Sequence, residues 1–323
     1  MTTRNNSLAE IGRALIKAET VLIFPHILMD GDALGSSVAL CRALRNSGKN
    51  CHVLIEDRVP GYISFLDKGY CTDDQAVLQE PADVCICVDC GEESRFPGRV
   101  QVYREGKTKI CIDHHPTSMG IGDLNYIEQG AAATGELIYA LLEEMNIELD
   151  KEIAEAIYTT IMTDTGNFRY SNTRKRSHEI VMNLYDKGIK SDEISNEIYE
   201  NESLEKIKLQ SKVISTLELF SEGKGAIAFL SQDMLRECGA KMEDSEGIVA
   251  TLRSLRGVEI AAFIKEIEEG KIKVTMRAKT TGDVAQIAIK HNGGGHVKAA
   301  GCTIMGTIEE AKQIIKEEIE QVL

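Results

Sequence analysis

Within the first 115 residues, three short apolar runs each end at a histidine or an aspartate. Residues 21–24 (VLIF) lead to His26 and then Asp30-Gly31-Asp32. Residues 84–88 (VCICV) lead to Asp89, and residues 109–112 (KICI) lead to Asp113-His114-His115. Runs this short and this uniformly apolar read as strands buried on both faces, as in a parallel sheet. Stretches of helical period follow or separate them, at 33–46 (ended by Gly48), 134–145 and 152–162. The alternation predicts a doubly wound α/β domain, a parallel sheet with helices on both faces. Ligands of such sheets bind outside the carboxyl ends of the strands. The histidines and aspartates at those ends are therefore expected to converge on one crevice.

From 174 to 219 the pattern becomes polar and helical with no strand signal, including a connecting helix over 204–219. A second pattern follows: a strand at 226–230, a helix at 245–255, a hairpin of 258–266 with 272–278, and a short helix at 284–290. The chain closes with an amphipathic helix at 308–322, for which Thr307 and Glu310 are spaced as a capping box. The expected organisation is a first domain over 1–190, a helical linker over 191–222, and a smaller α/β domain over 223–323, with substrate in the cleft between them. A length of 323 residues, 43% hydrophobic and 27% charged, suits two globular domains.

The balance of 37 basic against 51 acidic residues, a net charge of −14, argues against tracking of long duplex DNA, which calls for a basic surface. It leaves room for a phosphate substrate if bound metal supplies positive charge locally. No apolar run is long enough to span a bilayer, and the first residues lack the apolar stretch of a secretion signal. The expectation is a cytoplasmic protein with no membrane partner. Nine scattered cysteines then read as reduced and mostly buried. Cys87 and Cys90 form a CxxC without a second pair at zinc spacing, so packing is the expected role.

The strand-end residues form a ligand set of imidazole nitrogen and carboxylate oxygen: His26, Asp30, Asp32, Asp89 and His114, joined by Asp164 in Thr163–Phe168 (TDTGNF). That mixture suits manganese or a similar divalent ion better than a soft metal. Four carboxylates are too many for one ion. Two ions about 3.5–4 Å apart can share a bridging carboxylate and a water that ionises near neutral pH, an arrangement suited to in-line attack on phosphorus. Gly31 and Gly35 are expected to permit a tight loop that aims neighbouring carboxylates at different ions. Taken singly, each residue has a plainer role. Asp32 could cap the helix at 33, His114 could be a core histidine, and Asp164 could be a helix-end carboxylate. Their joint placement at strand ends is what favours metal.

At these residues the sequence resembles the DHH phosphoesterase superfamily, named for the triplet Asp113-His114-His115. The first motif corresponds to His26–Ser36, the second to Asp89, the third to the triplet with Pro116, and the fourth to Thr163–Phe168. Gly293-Gly294-Gly295-His296, with Lys298 and Gly301, resembles the GGGH signature of a DHH-associated C-terminal domain. Met29 stands where the family usually has proline, a departure expected to alter the loop and not the metals. The resemblance implies one ion on His26, Asp30 and Asp89 and a second on Asp32, Asp89, His114 and Asp164. It implies that His115 contacts the scissile phosphate or protonates the leaving oxygen, with Asp113 orienting a ligand histidine. The ions implied are manganese first, with magnesium or cobalt as alternatives.

In the second domain, Arg277 ends a predicted strand and could hold a phosphate through two parallel hydrogen bonds. Gly293, Gly294 and Gly295 could bring backbone N–H groups to an anion, and His296 and Lys298 add donors. The plainer reading of the glycines is a flexible turn. Size and architecture resemble the stand-alone members that hydrolyse very short RNA and 3′-phosphoadenosine-5′-phosphate (pAp). The alternative within the superfamily is cleavage of cyclic di-AMP or its linear product pApA. The GGGH segment argues against a family II pyrophosphatase, and the absence of room for an oligonucleotide-binding domain argues against a RecJ-type exonuclease. From a different class, the chain could be a nucleotide-binding module without catalysis. A homodimer is open.

Overall fold

The structure is a computed structural model, described for residues 5–78 and 80–323. It divides into two compact units at Asn201/Glu202.

The first unit comprises α1 (Leu8–Lys17), β1 (Thr20–Phe24), α2 (Gly31–Asn46), β2 (Asn50–Leu54), β3 (Cys71–Thr72), β4 (Val84–Val88), α3 (Val100–Glu105), β5 (Thr108–Asp113), β6 (Leu124–Ile127), α4 (Thr134–Glu144), α5 (Lys151–Asp164), α6 (Lys175–Tyr185) and α7 (Ser191–Tyr199). Its six strands are all parallel, in the order β3-β2-β1-β4-β5-β6. The order reverses between β1 and β4, so the crevice of a doubly wound sheet opens at their carboxyl ends.

The two sheet faces are covered unequally. Val21, Ile23, Ile86, Val88, Ile110 and Ile112 pack under α2, α4 and α5, each such aliphatic burial contributing about 1.5–3 kcal/mol. The opposite face carries Leu22, Phe24, Cys85, Cys87 and Cys111 beneath a thinner cover that includes Phe96 and Tyr103. Small thiol side chains suit that thin layer, and Cys87 and Cys90 are both free and buried there. Met29 is buried in the helical side of the core, 2% exposed.

The second unit comprises α8 (Leu204–Ile214), β7 (Glu218–Phe220), β8 (Gly225–Leu230), α9 (Gln232–Cys238), α10 (Ile248–Ser254), β9 (Ile260–Glu268), β10 (Lys271–Ala278), α11 (Val284–Lys290), β11 (Gly294–His296), β12 (Ala299–Met305) and α12 (Ile308–Glu320). Its mixed sheet runs β11-β12-β10-β9-β8-β7, with β8 and β9 parallel and every other pair antiparallel. The capping box at Thr307 and Glu310 is formed. The stretch 191–222, read from sequence as a linker, is divided between the units. Ile194 and Ile198 of α7 join the first core, and Leu209 and Val213 of α8 join the second. The helix expected at 245–255 begins only at Ile248, because Gly247 turns the chain with φ +84°. Among the described residues, no helix is long and apolar enough to cross a membrane.

Candidate metal centre

The site lies where β1, β4 and β5 end, and it is completed by the first turn of α2, the last residue of α5 and the start of α4. Asp30 caps α2, its Oδ1 accepting from the N–H groups of Asp32 (3.1 Å) and Ala33 (3.0 Å). The capping role open to Asp32 from sequence thus falls to Asp30. Asp32 is 1% exposed and fully engaged. Its Oδ2 accepts from Thr134 N–H at 2.7 Å, and its Oδ1 from Gly135 N–H and the Ser36 hydroxyl, both at 3.0 Å. Asp89 follows β4 in the left-handed region, φ +61°, a conformation aspartate tolerates better than most residues. Its Oδ1 accepts a 2.7 Å bond from the Thr134 hydroxyl.

The histidines are aimed through their other nitrogen. His26 Nδ1 lies 2.8 Å from the Ile27 carbonyl, and His114 Nδ1 lies 3.2 Å from the Ala131 carbonyl. A proton on each Nδ1, donated to that carbonyl, leaves the Nε2 lone pair for an ion. His26 Nε2 stands 3.9 Å from Asp30 Oδ1 and 3.6 Å from Asp89 Oδ2. His114 Nε2 stands 3.7, 3.6 and 3.5 Å from Asp32 Oδ2, Asp89 Oδ1 and Asp164 Oδ2. Three donor groups result, His26/Asp30/Asp89, Asp32/His114/Asp164 and Asp89/His114/His115, each with its ligand atoms within 4.8 Å of one another; the first two are separate, and the third joins them through Asp89 and His114. Asp89 turns one oxygen to each of the first two.

Electrostatics favours a cation here. Burial first, then repulsion from Asp32 and Asp30, pushes Asp89 well above the usual carboxylate range. The same causes raise Asp164 to about 8, and burial raises Asp32. Crowded carboxylates that raise one another, together with imidazole nitrogens, form a donor set that fits divalent ions of the manganese type.

Asp113 and His115 act as a pair beside the site. Residues two apart on an extended chain share a side, so Asp113 Oδ1 holds His115 Nδ1 at 2.7 Å and its N–H at 3.2 Å. The sequence reading had Asp113 orienting a ligand histidine. It orients His115, while a backbone carbonyl orients His114. Burial is the largest influence on Asp113 and works to raise it, but the His115 bonds and charge, together with Ser118, outweigh it and hold the carboxyl low. The side-chain bond to Asp113 raises His115.

Sequence reasoning missed Ser36, Thr134 and Gly135, whose donors hold the carboxylates. The small-residue run 130–135 (GAAATG) at a helix start was the available signal. The roles of Gly31 and Gly35 also differ from expectation. Both are helical, not looped. A Cβ on Gly31 would lie 2.5 Å from Thr163 Oγ1, and one on Gly35 would lie 2.8 Å from the Ala156 carbonyl. What they provide is close approach of α2 to α5, which brings Asp30 and Asp32 to Asp164.

The second-unit candidates are less tightly gathered. The glycines lie against β12 in close backbone contact. Gly294 begins the short strand β11 paired to β12, and Cβ atoms on Gly293 and Gly295 would meet the Gly301 and Ala299 carbonyls at 2.2 and 2.4 Å. Lys298 Nζ donates to the Thr280 and Gly282 carbonyls at 2.8 and 3.3 Å, closing a loop. Arg277 is half-buried at the end of β10, opposite Ala299. The side chain of His296 lies outside the described residues.

A family model described as the DHH family, N-terminal domain, matches residues 20–161, and one described as the DHHA1 domain matches residues 222–323. The bifunctional oligoribonuclease and PAP phosphatase NrnA of Thermus thermophilus is 33% identical over 304 residues, covering 94% of this chain and 90% of that protein. The chain belongs to the DHH family. As a DHH-family member it is an enzyme of phosphoester hydrolysis. The NrnA protein of Bacillus subtilis is 30% identical, covering 95% of this chain and 96% of that one. A crystal structure of an exopolyphosphatase-related protein from Bacteroides fragilis superposes with a TM-score of 0.91 at 27% identity, covering 97% and 95% of the two chains.

Proposed function

We propose that this DHH-family enzyme hydrolyses short oligoribonucleotides to mononucleotides, and pAp to AMP, with two divalent ions, manganese first. A cytoplasmic setting and recognition of substrate by the second unit belong to the same reading. The observation that carries it is Asp89, whose two oxygens face two separate donor groups. The substrates follow from the two curated relatives, which match nearly end to end.

His26, Asp30 and Asp89 would hold one ion, and Asp32, Asp89, His114 and Asp164 the other. When bound, such a pair supplies Lewis acidity and a water ionised near neutral pH. The protein's own part is positioning and proton handling. Thr134, Gly135 and Ser36 hold Asp32 and Asp89, so neither of these carboxylates must reorient during the reaction. Asp113 holds the Nδ1–H of His115 and favours its imidazolium form. Nε2–H is then the donor available to a phosphoryl or leaving-group oxygen, and the side chain is 41% exposed, open enough to meet one.

The test is a product assay. Metal-stripped protein reloaded with Mn²⁺ is offered pAp, pApA, a pentaribonucleotide, cyclic di-AMP and pyrophosphate at equal concentration. AMP from pAp and mononucleotides from the RNA are expected. Cleavage of cyclic di-AMP ahead of both would replace this reading with second-messenger turnover. Tight nucleotide binding without turnover would make the chain a binding module.

A further inference from the structure

One recess in the second unit extends from Gly293 and Gly294 to residues not assigned above. It has a volume of about 470 Å³ and lies where the loop after α11 crosses β12, lined by Lys273, His291, Asn292, Gly293, Gly294 and Thr303 among others. That is enough space for a nucleotide-sized ligand. In a chain of net charge −14, no aspartate or glutamate among the described residues lines it.

Its polar groups are unpartnered. His291 Nε2 is buried with no hydrogen-bond partner. Such an atom costs free energy unless a ligand or water completes it. Lys273, Asn292 and Thr303 make no side-chain hydrogen bond or ion pair among the described residues. Lys273 is also set directly across from Lys265 on β9. Like charges facing each other across a strand pair are unfavourable, and an anion between or beside them removes that cost. Asn292 takes the left-handed conformation, φ +55°, that turns the loop over β12.

Strand geometry relates the recess to Arg277. Residues 273, 275 and 277 of β10 share the face opposite the buried Ile272, Val274 and Met276. Lys273 and Arg277 are therefore separated by four residues, about 13 Å along the strand. One sugar with its two phosphates does not span that distance, whereas a chain with a further nucleotide linkage does.

We infer that the recess at Lys273, His291 and Asn292 is an anion subsite for a phosphate of the substrate chain beyond the one held near Arg277, favouring oligonucleotides over pAp. The inference rests on the proposed nucleotide substrates. Lys273 supplies the charge, and Asn292 and Thr303 supply hydrogen bonds to phosphate or ribose oxygens, with His291 Nε2 buried behind them.

The full-length protein tests it through Lys273→Gln and the conservative Lys273→Arg. Binding of a 5′-phosphorylated phosphorothioate trinucleotide and of pAp is measured between 50 and 200 mM salt. Lys273→Gln is expected to weaken the trinucleotide about tenfold and pAp less than twofold. It should also flatten the plot of log affinity against log salt by about 0.7, the loss of one phosphate contact on a single strand. Lys273→Arg restores both. Equal weakening of the two ligands, or an unchanged salt slope, overturns the subsite. If wild-type protein hydrolyses neither RNA nor pAp yet binds the trinucleotide in this Lys273-dependent way, the subsite stands and the proposed function falls. Hydrolysis of both with no effect of Lys273→Gln gives the reverse.

Discussion

Thr134→Val replaces one hydroxyl by a methyl at a fully buried position and leaves the backbone N–H that Thr134 donates to Asp32. What it removes is the 2.7 Å bond to Asp89 Oδ1. Asp89 is 2% exposed, so no bulk water can replace that donor. A hydrogen bond to a charged, buried acceptor contributes about 1.5–3 kcal/mol, and about 1.4 kcal/mol is a factor of ten in affinity. Without ions, burial and its acidic neighbours already favour protonated Asp89, and a protonated carboxyl loses little from the change. Ions require the carboxylate, so the full loss appears in ion affinity, about 10- to 100-fold, as for other groups that hold a metal ligand in place. Because Asp89 faces both donor groups, both ions should weaken together. The assay is calorimetric titration of metal-stripped protein with Mn²⁺, comparing wild type, Thr134→Val and Thr134→Ser. Serine should recover most of the affinity. Wild-type affinity in Thr134→Val, or weakening of one ion alone, would refute the reasoning.

Asp89→Ala should abolish binding of both ions and reduce hydrolysis to background, and near-normal turnover on any phosphoester would exclude the shared carboxylate. Asp113→Asn should lower kcat about 100-fold by misplacing the His115 proton while changing Mn²⁺ affinity by no more than a few-fold; loss of affinity in its place would show Asp113 supporting a metal ligand. The metal-free protein should become less stable as pH rises. Asp164 titrates at about 8 in the fold against 3.8 ordinarily, so its contribution is whole below about pH 4 and is lost on passing through pH 8, and Asp32 and Asp89 act in the same direction. Thermal melts at pH 5 and 8 check the sign, and saturating Mn²⁺ should remove the dependence. Gly35→Ala gains about 1 kcal/mol of helix propensity. The methyl, however, meets Thr160 Cγ2 at 2.7 Å and the Ala156 carbonyl at 2.8 Å, an overpacking that costs about 1–3 kcal/mol. A lower melting temperature is therefore expected, and a higher one would contradict the close-packed α2–α5 contact.

The donor set was legible in the sequence because strand burial and ligand chemistry leave strong local marks. A run such as VCICV has no helical period, and the residue that ends it must emerge at a strand end. The short edge strands leave no such mark. β3, β7 and β11 have two or three residues each, too few for any period to show. They form because a neighbouring strand offers unpaired backbone groups, which is tertiary information. The residues holding the ligands were hidden for the same reason. Thr134 is 102 positions from Asp32 and 45 from Asp89, and nothing local distinguishes its hydroxyl from that of any other helix-start threonine.

The misread glycines show how the two kinds of information combine. In the sequence, Gly31 and Gly35 flank an aspartate, and a loop that aims carboxylates is the local explanation. In the fold they lie on one helix face, where each missing side chain lets α2 approach the α5 segment that ends in Asp164. Gly135 does the same for α4, because a Cβ there would overlap the Thr160 side chain. Thr160 is thus approached from two sides by glycine-bearing helices. The metal centre needs Asp30 and Asp32 from α2, Asp164 from α5 and the donors of α4 within a few ångströms of each other. Helices with ordinary side chains at their contacts keep axes 8–10 Å apart, and glycine at the crossing is the way to draw their ends closer. The glycines of the first motif therefore set the donor groups through the distance between helices, and a substitution there should loosen the site without touching any of its carboxylates or histidines.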